Sequence, residues 1–217
     1  MSAAATDRFL VLGSEDAAAT ILLAHGAGAP MDSASMTAAA TALAREGLRV
    51  VRFELAYMAA RRSGERKPPP RAETVMPEYL AAVADCPVTG RLIIGGKSMG
   101  GRVASMVADE LYASGRIAGL LCLGYPFHPL GKPQQLRTRH LADLDTPTLI
   151  CQGTRDQLGS RDEVAGYALS PRIEVLWLED GDHDLKPRKS VSGFTAAHHL
   201  ASMAAATKAW IERLPQR

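Results

Sequence analysis

The sequence is short of cysteine, of aromatic residues and of net charge, and it contains no long apolar run. Each shortage excludes something. Cys86, Cys122 and Cys151 are odd in number, and two of them fall inside the apolar runs Leu120 to Leu123 and Thr148 to Cys151, so a disulfide framework is not expected. All three read as small buried apolar side chains rather than reactive thiols. A formal net charge of +2 is too small to draw a nucleic acid or a membrane surface from a distance. No apolar stretch approaches the ~18 residues that span a bilayer. Met1 to Leu12 also lacks the basic start and long apolar core of an export signal. The expectation is a cytoplasmic protein with neither a nucleic-acid nor a membrane partner.

What is present is an ordinary globular composition, 47% hydrophobic and 22% charged over 217 residues, enough for a single domain with one core. Short runs rich in Val, Ile and Leu alternate with longer Ala-rich amphipathic segments, the pattern of a parallel sheet with helices on both faces. Strands are predicted at Thr20 to Ala24, Leu48 to Phe53, Arg91 to Gly95, Ala118 to Leu123, Thr148 to Cys151 and Ile173 to Leu178. Helices are predicted near Ser33 to Glu46, Glu73 to Ala84, Met99 to Ser114, Ser160 to Leu169 and Phe194 to Leu214. The segment Arg61 to Arg71 carries five basic residues and a triple proline, which forbids a helix or central strand there and predicts an extended surface loop.

The third predicted strand runs directly into Gly96-Lys97-Ser98-Met99-Gly100, and a helical pattern begins at once. A serine on such a strand-turn-helix elbow needs glycine two residues to either side, so that strand and helix can approach, and it sits where helix N–H groups face a developing negative charge. Ser98 is the candidate nucleophile. A phosphate-binding loop fails on register, because its first glycine would fall at Arg91 and its body would be the apolar Leu92 to Ile94. Upstream, the strand Thr20 to Ala24 leads into His25-Gly26-Ala27-Gly28, whose small residues let backbone amides approach a ligand. Ala27 and Met99 are the candidate donors of an oxyanion hole, with His25 bracing the loop.

With the nucleophile on an elbow of this kind, the acid and then the base follow it in chain order. Asp156 lies just past the strand Thr148 to Cys151, where sites in parallel sheets gather. Asp145 precedes its strand, and Asp162 has a sufficient role at a helix start. His183 is the only imidazole in the polar turn after Ile173 to Leu178, and a histidine there can take the serine proton near neutral pH. His128, His140, His198 and His199 need no more than surface roles. Neither a second histidine pair nor a cysteine pair accompanies Asp182-His183-Asp184, so no metal and no cofactor are expected.

Four stretches, HGAGAPMDS at 25–33, GGKSMGGR at 95–102, GTRDQLG at 153–159 and GDHDLKPRK at 181–189, make the chain resemble the α/β-hydrolase superfamily, in particular its small dienelactone-hydrolase-like members. The set also resembles a group of predicted bacterial hydrolases related to an animal testis-expressed protein and to a subunit of a chromatin-acetylating complex. The resemblance implies a mostly parallel, doubly wound sheet flanked by helices, with Ser98, Asp156 and His183 as a catalytic triad. It implies a serine hydrolase that cleaves a carboxylic ester or related acyl bond in a small molecule through an acyl-enzyme. Dienelactone hydrolases proper use cysteine where this chain has Ser98, so lactone specificity does not carry over. The chromatin-complex kinship admits a non-enzymatic scaffold, but all three triad positions are intact, which favours an enzyme.

Gly124 to Leu144 is too short for a large cap domain. Tyr125, Phe127 and Leu130 are candidates for an apolar wall beside Ser98, with Tyr57 and Met58 opposite, or else ordinary packing at the sheet ends. Basic residues recur in loops expected at the same edge: Arg61, Arg62, Lys67 and Arg71, then Lys186, Arg188 and Lys189. They fit either an anionic substrate or a solvated surface, and the oligomeric state is left open.

Overall fold

The computed structural model describes residues 8–65 and 68–215. Its frame is one seven-stranded sheet in the order β1-β3-β2-β4-β5-β6-β7, formed by β1 (Phe9–Leu12), β2 (Ala19–Ala24), β3 (Arg49–Phe53), β4 (Arg91–Lys97), β5 (Gly119–Leu123), β6 (Thr148–Gly153) and β7 (Ile173–Leu178). All neighbours are parallel except β1, which runs antiparallel to β3 at the edge. The helices are α1 (Ala34–Arg45), α2 (Ala56–Arg62), α3 (Met76–Asp85), α4 (Met99–Ala113), α5 (Arg161–Val164), α6 (Lys189–Ser192) and α7 (Ala196–Arg213).

Period-two alternation explains why the central strands are apolar throughout. Leu22 and Ala24 of β2 face one core layer while Ile21 and Leu23 face the other, and Ile94 and Ile93 of β4 divide in the same way. The first layer is closed by α2, α3 and α4 through Met58, Tyr79, Val103 and Val107; the second by α1 and α7 through Met36, Leu43, Met203 and Trp210. The α/β-hydrolase fold expected from the motifs is the fold observed, without a large cap.

The differences are local. β1 has no counterpart in the predicted strands, because three of its four residues are not buried and its apolar signal is only four residues long. Arg61 and Arg62 close α2 rather than opening an extended loop, and residues 68–71 then run without regular structure. The helix predicted from Ser160 keeps its start, a capping box in which Ser160 and Glu163 satisfy each other, but regular helix ends at Val164. Gly166 and Pro171 close behind cannot sustain it. Among the described residues no helix is long and apolar enough to cross a membrane.

Candidate active site

The parallel strands deliver their C-terminal ends to one edge, and the four motif stretches meet there. Ser98 sits between β4 and α4 with φ 51° and ψ −118°, a strained conformation for a residue with a side chain, costing on the order of 1–3 kcal/mol. Packing holds it there. Its N–H donates to Leu123 O at 3.0 Å, and its carbonyl accepts from Arg102 N at 3.0 Å. Glycine is required beside it: a Cβ at Gly96 would lie 2.6 Å from Ala24 O, and one at Gly100 2.6 Å from both Ala24 O and His25 O.

His183 Nε2 lies 2.8 Å from Ser98 Oγ, and His183 Nδ1 lies 2.8 Å from Asp156 Oδ2. Asp156 is fully buried and needs several donors to stay there as an anion. It has them: Gln152 Nε2 reaches Oδ2 at 2.9 Å and Leu158 N–H donates to Oδ1 at 2.8 Å. Because the carboxylate only accepts, Nδ1 carries a proton and Nε2 is free to accept one from the serine. That arrangement can generate a nucleophilic alkoxide at neutral pH.

Gln152 is the residue that sequence reasoning missed. It is fully buried at the end of β6, where its amide also donates to Tyr125 O and Gly159 O and its oxygen accepts from Tyr125 N–H. One side chain therefore ties together the acid, the loop after β5 and the turn after Asp156. The available signal was a polar residue continuing an apolar strand four positions before the acid. Tyr79 was missed too: its buried hydroxyl both donates to Gly95 O and accepts from Gly95 N–H, fixing β4 just before the elbow.

The loop carrying His183 is clamped from both sides. Asp180, at φ 58°, accepts from Arg188 N, Nε and Nη2, and Arg155 Nε lies 3.3 Å away. Hydrogen bonding to Arg188 holds the Asp180 carboxyl down at about 2. Lys97 Nζ donates to His183 O at 3.2 Å and pairs with Asp184 at 2.7 Å. His199 Nδ1 donates to Leu185 O at 2.9 Å from within the core.

His198 is exposed, as expected, but three other histidines are not surface residues. His128 and His199 are buried, their Nδ1 atoms 2.9 Å from the backbone oxygens of Pro129 and Leu185, and the half-buried His140 places Nε2 2.8 Å from Ser105 Oγ, because the loop after β5 and helix α7 fold these polar groups inward. His25 does brace its loop: Nε2 accepts from Leu55 N–H, so Nδ1 donates to Gly26 O, and burial pushes its pKa down.

The structure moves three residues away from the expected substrate wall. Tyr125 and Phe127 are fully buried, with the Tyr125 hydroxyl turned back to Arg137 O and Ser105. Tyr57 is also buried, its hydroxyl donating to Gly26 O and Ala27 O, so it supports the candidate oxyanion loop from behind. The wall is made instead by Pro126, Pro129, Leu130 and Leu158, in a cavity of about 450 Å³ that Ser98, Ala27 and Met99 also line. A second cavity, about 390 Å³, lies on the His183 side and shares Leu130 and Leu158 with the first. Met99 opens α4, so its N–H has no intrahelical acceptor.

Of the basic residues expected at this edge, Arg62 is held by Glu54 at 2.7 Å and Asp32 at 3.0 Å, Lys186 by Asp184 at 3.4 Å, and Arg188 by Asp180. Arg61 lies over the Tyr57 ring. Lys67 is outside the described residues. Among the described residues no group of three or more His, Cys, Asp or Glu could hold a metal ion.

The family model described as "Alpha/beta hydrolase domain" matches residues 17–212. Among solved structures, a dienelactone hydrolase from Anabaena variabilis is 17% identical, with 96% of this chain and 92% of that one covered and a TM-score of 0.70. A lid-less α/β serine hydrolase from Xanthomonas campestris is 20% identical, with coverages of 96% and 90% and a TM-score of 0.65. The esterase domain of a Rhodothermus marinus protein is 18% identical, with coverages of 95% and 91% and a TM-score of 0.64. These identities speak to the fold.

Proposed function

Since the chain belongs to the alpha/beta hydrolase domain family, we propose that it is a serine hydrolase cleaving a carboxylic ester or related acyl bond, with Ser98 as nucleophile, His183 as general base and Asp156 orienting that base. The observation that carries the reading is the pair of hydrogen bonds on the two nitrogens of one imidazole, His183 Nε2 to Ser98 Oγ and His183 Nδ1 to Asp156 Oδ2, both 2.8 Å long. Ser98 attacks the carbonyl carbon while its proton passes to His183, and the tetrahedral oxyanion is received by the amides of Ala27 and Met99. Collapse expels the leaving group with the proton from His183, leaving an acyl-enzyme that water hydrolyses by the same steps in reverse roles. The esterase domain and the serine hydrolase among its structural neighbours agree with this chemistry. A cytoplasmic setting is part of the proposal, supported by three cysteines that remain free. The narrower kinship with the testis-expressed and chromatin-complex group rests on the motif stretches alone.

A panel of acyl p-nitrophenyl esters and thioesters tests the reading. At least one is expected to turn over with an initial burst of product equal to the enzyme present, and Ser98→Ala abolishes the burst. A folded protein that hydrolyses none of them, or turnover that survives Ser98→Ala, overturns it in favour of the scaffold.

A further inference from the structure

We infer that the 450 Å³ cavity beside Ser98 binds a carboxylate, so that the substrate is an acyl compound carrying a second, free carboxylate group. The inference rests on the proposed hydrolase reading and names the substrate class for the same site. Its ground is an imbalance of charge: Arg71, Arg102 and Arg137 line the cavity against a single carboxylate, Glu73. Most other basic side chains at this edge are already committed to acids, as Arg62 is to Glu54 and Asp32, Arg155 and Arg188 to Asp180, and Lys97 and Lys186 to Asp184.

The cavity arginines differ. Among the described residues the guanidinium groups of Arg71 and Arg137 make no hydrogen bond and no ion pair. Arg102 spends Nη2 on Glu73 at 2.6 Å, while its Nε is shut off from solvent without a partner. Burial, and then the neighbouring Arg102 charge, press the Arg137 pKa down. Arg102, largely buried, and Arg137, half-buried, share the cavity with Glu73 as its one carboxylate, and that carboxylate already pairs with Arg102, so the Arg137 charge is left uncompensated at a cost. The forked guanidinium suits a carboxylate that accepts two parallel N–H bonds. Arg102 is four residues beyond Ser98, hence one turn along the same face of α4, which places the charge beside the reacting bond. Met99, Pro126, Pro129, Leu130 and Leu158 complete the lining with apolar surface fit for the short chain between the two carbonyl groups. Arg102 lies within α4 and Arg137 in the loop after β5, apart from the basic clusters at 61–71 and 186–189.

The experiment is protection of Ser98 from a fluorophosphonate by monomethyl adipate, compared with dimethyl adipate, which has the same length and no charge. The monoester is expected to protect at concentrations about tenfold lower or better, the effect of a hydrogen bond to a charged group. Arg137→Gln should bring the two esters within about twofold of each other. Should that variant fail to fold, high salt on the wild-type protein does the same work, weakening protection by the monoester alone. Equal protection by the two esters, or protection by inorganic phosphate as strong as by the monoester, overturns the inference. Absence of any labelling would count against the hydrolase reading instead. Calorimetry of monomethyl adipate with wild type and Arg137→Gln then decides the binding question without the chemistry of Ser98: a difference of about tenfold upholds the site, and none removes it.

Discussion

At the scale of single residues, the account turns on which polar groups can be buried and why. Asp156 is tolerated at zero exposure because Gln152, Leu158 N–H and His183 supply donors, and the same bonds fix the imidazole tautomer. Asp156→Asn should fold, since its shape is kept, yet it would present an amide that favours the opposite tautomer and cannot offset an imidazolium charge. Loss of kcat of up to ~10⁴ is expected with little change in melting temperature, the size found for the corresponding change in the best-studied triad. Turnover within a few fold of wild type would remove Asp156 from the mechanism. Ser98, Asp156 and His183 were legible in the sequence because each follows an apolar run that could only be a buried strand. Gln152 was not, since periodicity reports side-chain burial and a buried glutamine breaks the rule only where a network needs it. Tyr125 and Phe127 were legible as aromatics near the sheet edge, but sequence carries no signal for which way a loop turns its side chains, and both turn into the core.

At the scale of elements, the loop between β7 and α7 has to present His183 while making few apolar contacts of its own, so ion pairs hold it. Asp180 is the centre of that clamp, and its carboxyl sits at about 2 against an unfolded value of ~3.9. The folded form is thus the weaker binder of protons. Its contribution to stability is complete above the unfolded value and disappears as pH falls from ~4 through 2. Asn tolerates the positive φ at position 180, so Asp180→Asn leaves the backbone conformation open while it removes the charge and one of the two acceptor oxygens. The wild-type melting temperature should exceed that of the variant at pH 7, and the gap should close as pH approaches 2. A gap that stays constant from pH 7 to 2 would mean that the carboxylate charge does not hold the loop. The strands were readable because both faces of a parallel sheet are covered, giving unbroken apolar runs. Helix α2 was hidden by its brevity and by the proline-rich stretch after it, and α5 was over-extended because a strong capping signal announces where a helix starts and says nothing of where it ends.

At the scale of the whole molecule, the sheet brings loops that are far apart in sequence to one edge: Ala27 after β2, Ser98 after β4, Pro126 and Leu130 after β5, Asp156 after β6 and His183 after β7. Each alone has an ordinary explanation as a turn or a cap. Their convergence around two adjoining cavities is what makes a reaction centre the better one. The open edge, walled by proline and leucine with no large cap above it, also means that specificity has to come from the walls themselves, which is why the arginines there matter. The fold class and the site's location follow from strand spacing. The make-up of the cavity does not, because Arg102 and Arg137 reach it from a helix and a long loop whose paths only the folded chain defines.

The central claim is that Ser98 is a nucleophile activated by His183, and the rate and site of fluorophosphonate labelling measure it most directly. The phosphorus accepts attack only from an activated hydroxyl, and its oxygen becomes an anion for the amides of Ala27 and Met99. Intact-mass and peptide analysis should find one rapid adduct, confined to Ser98, absent in Ser98→Ala and slowed by orders of magnitude in a folded His183→Ala protein. Slow labelling scattered over several serines and indifferent to His183 would contradict the account.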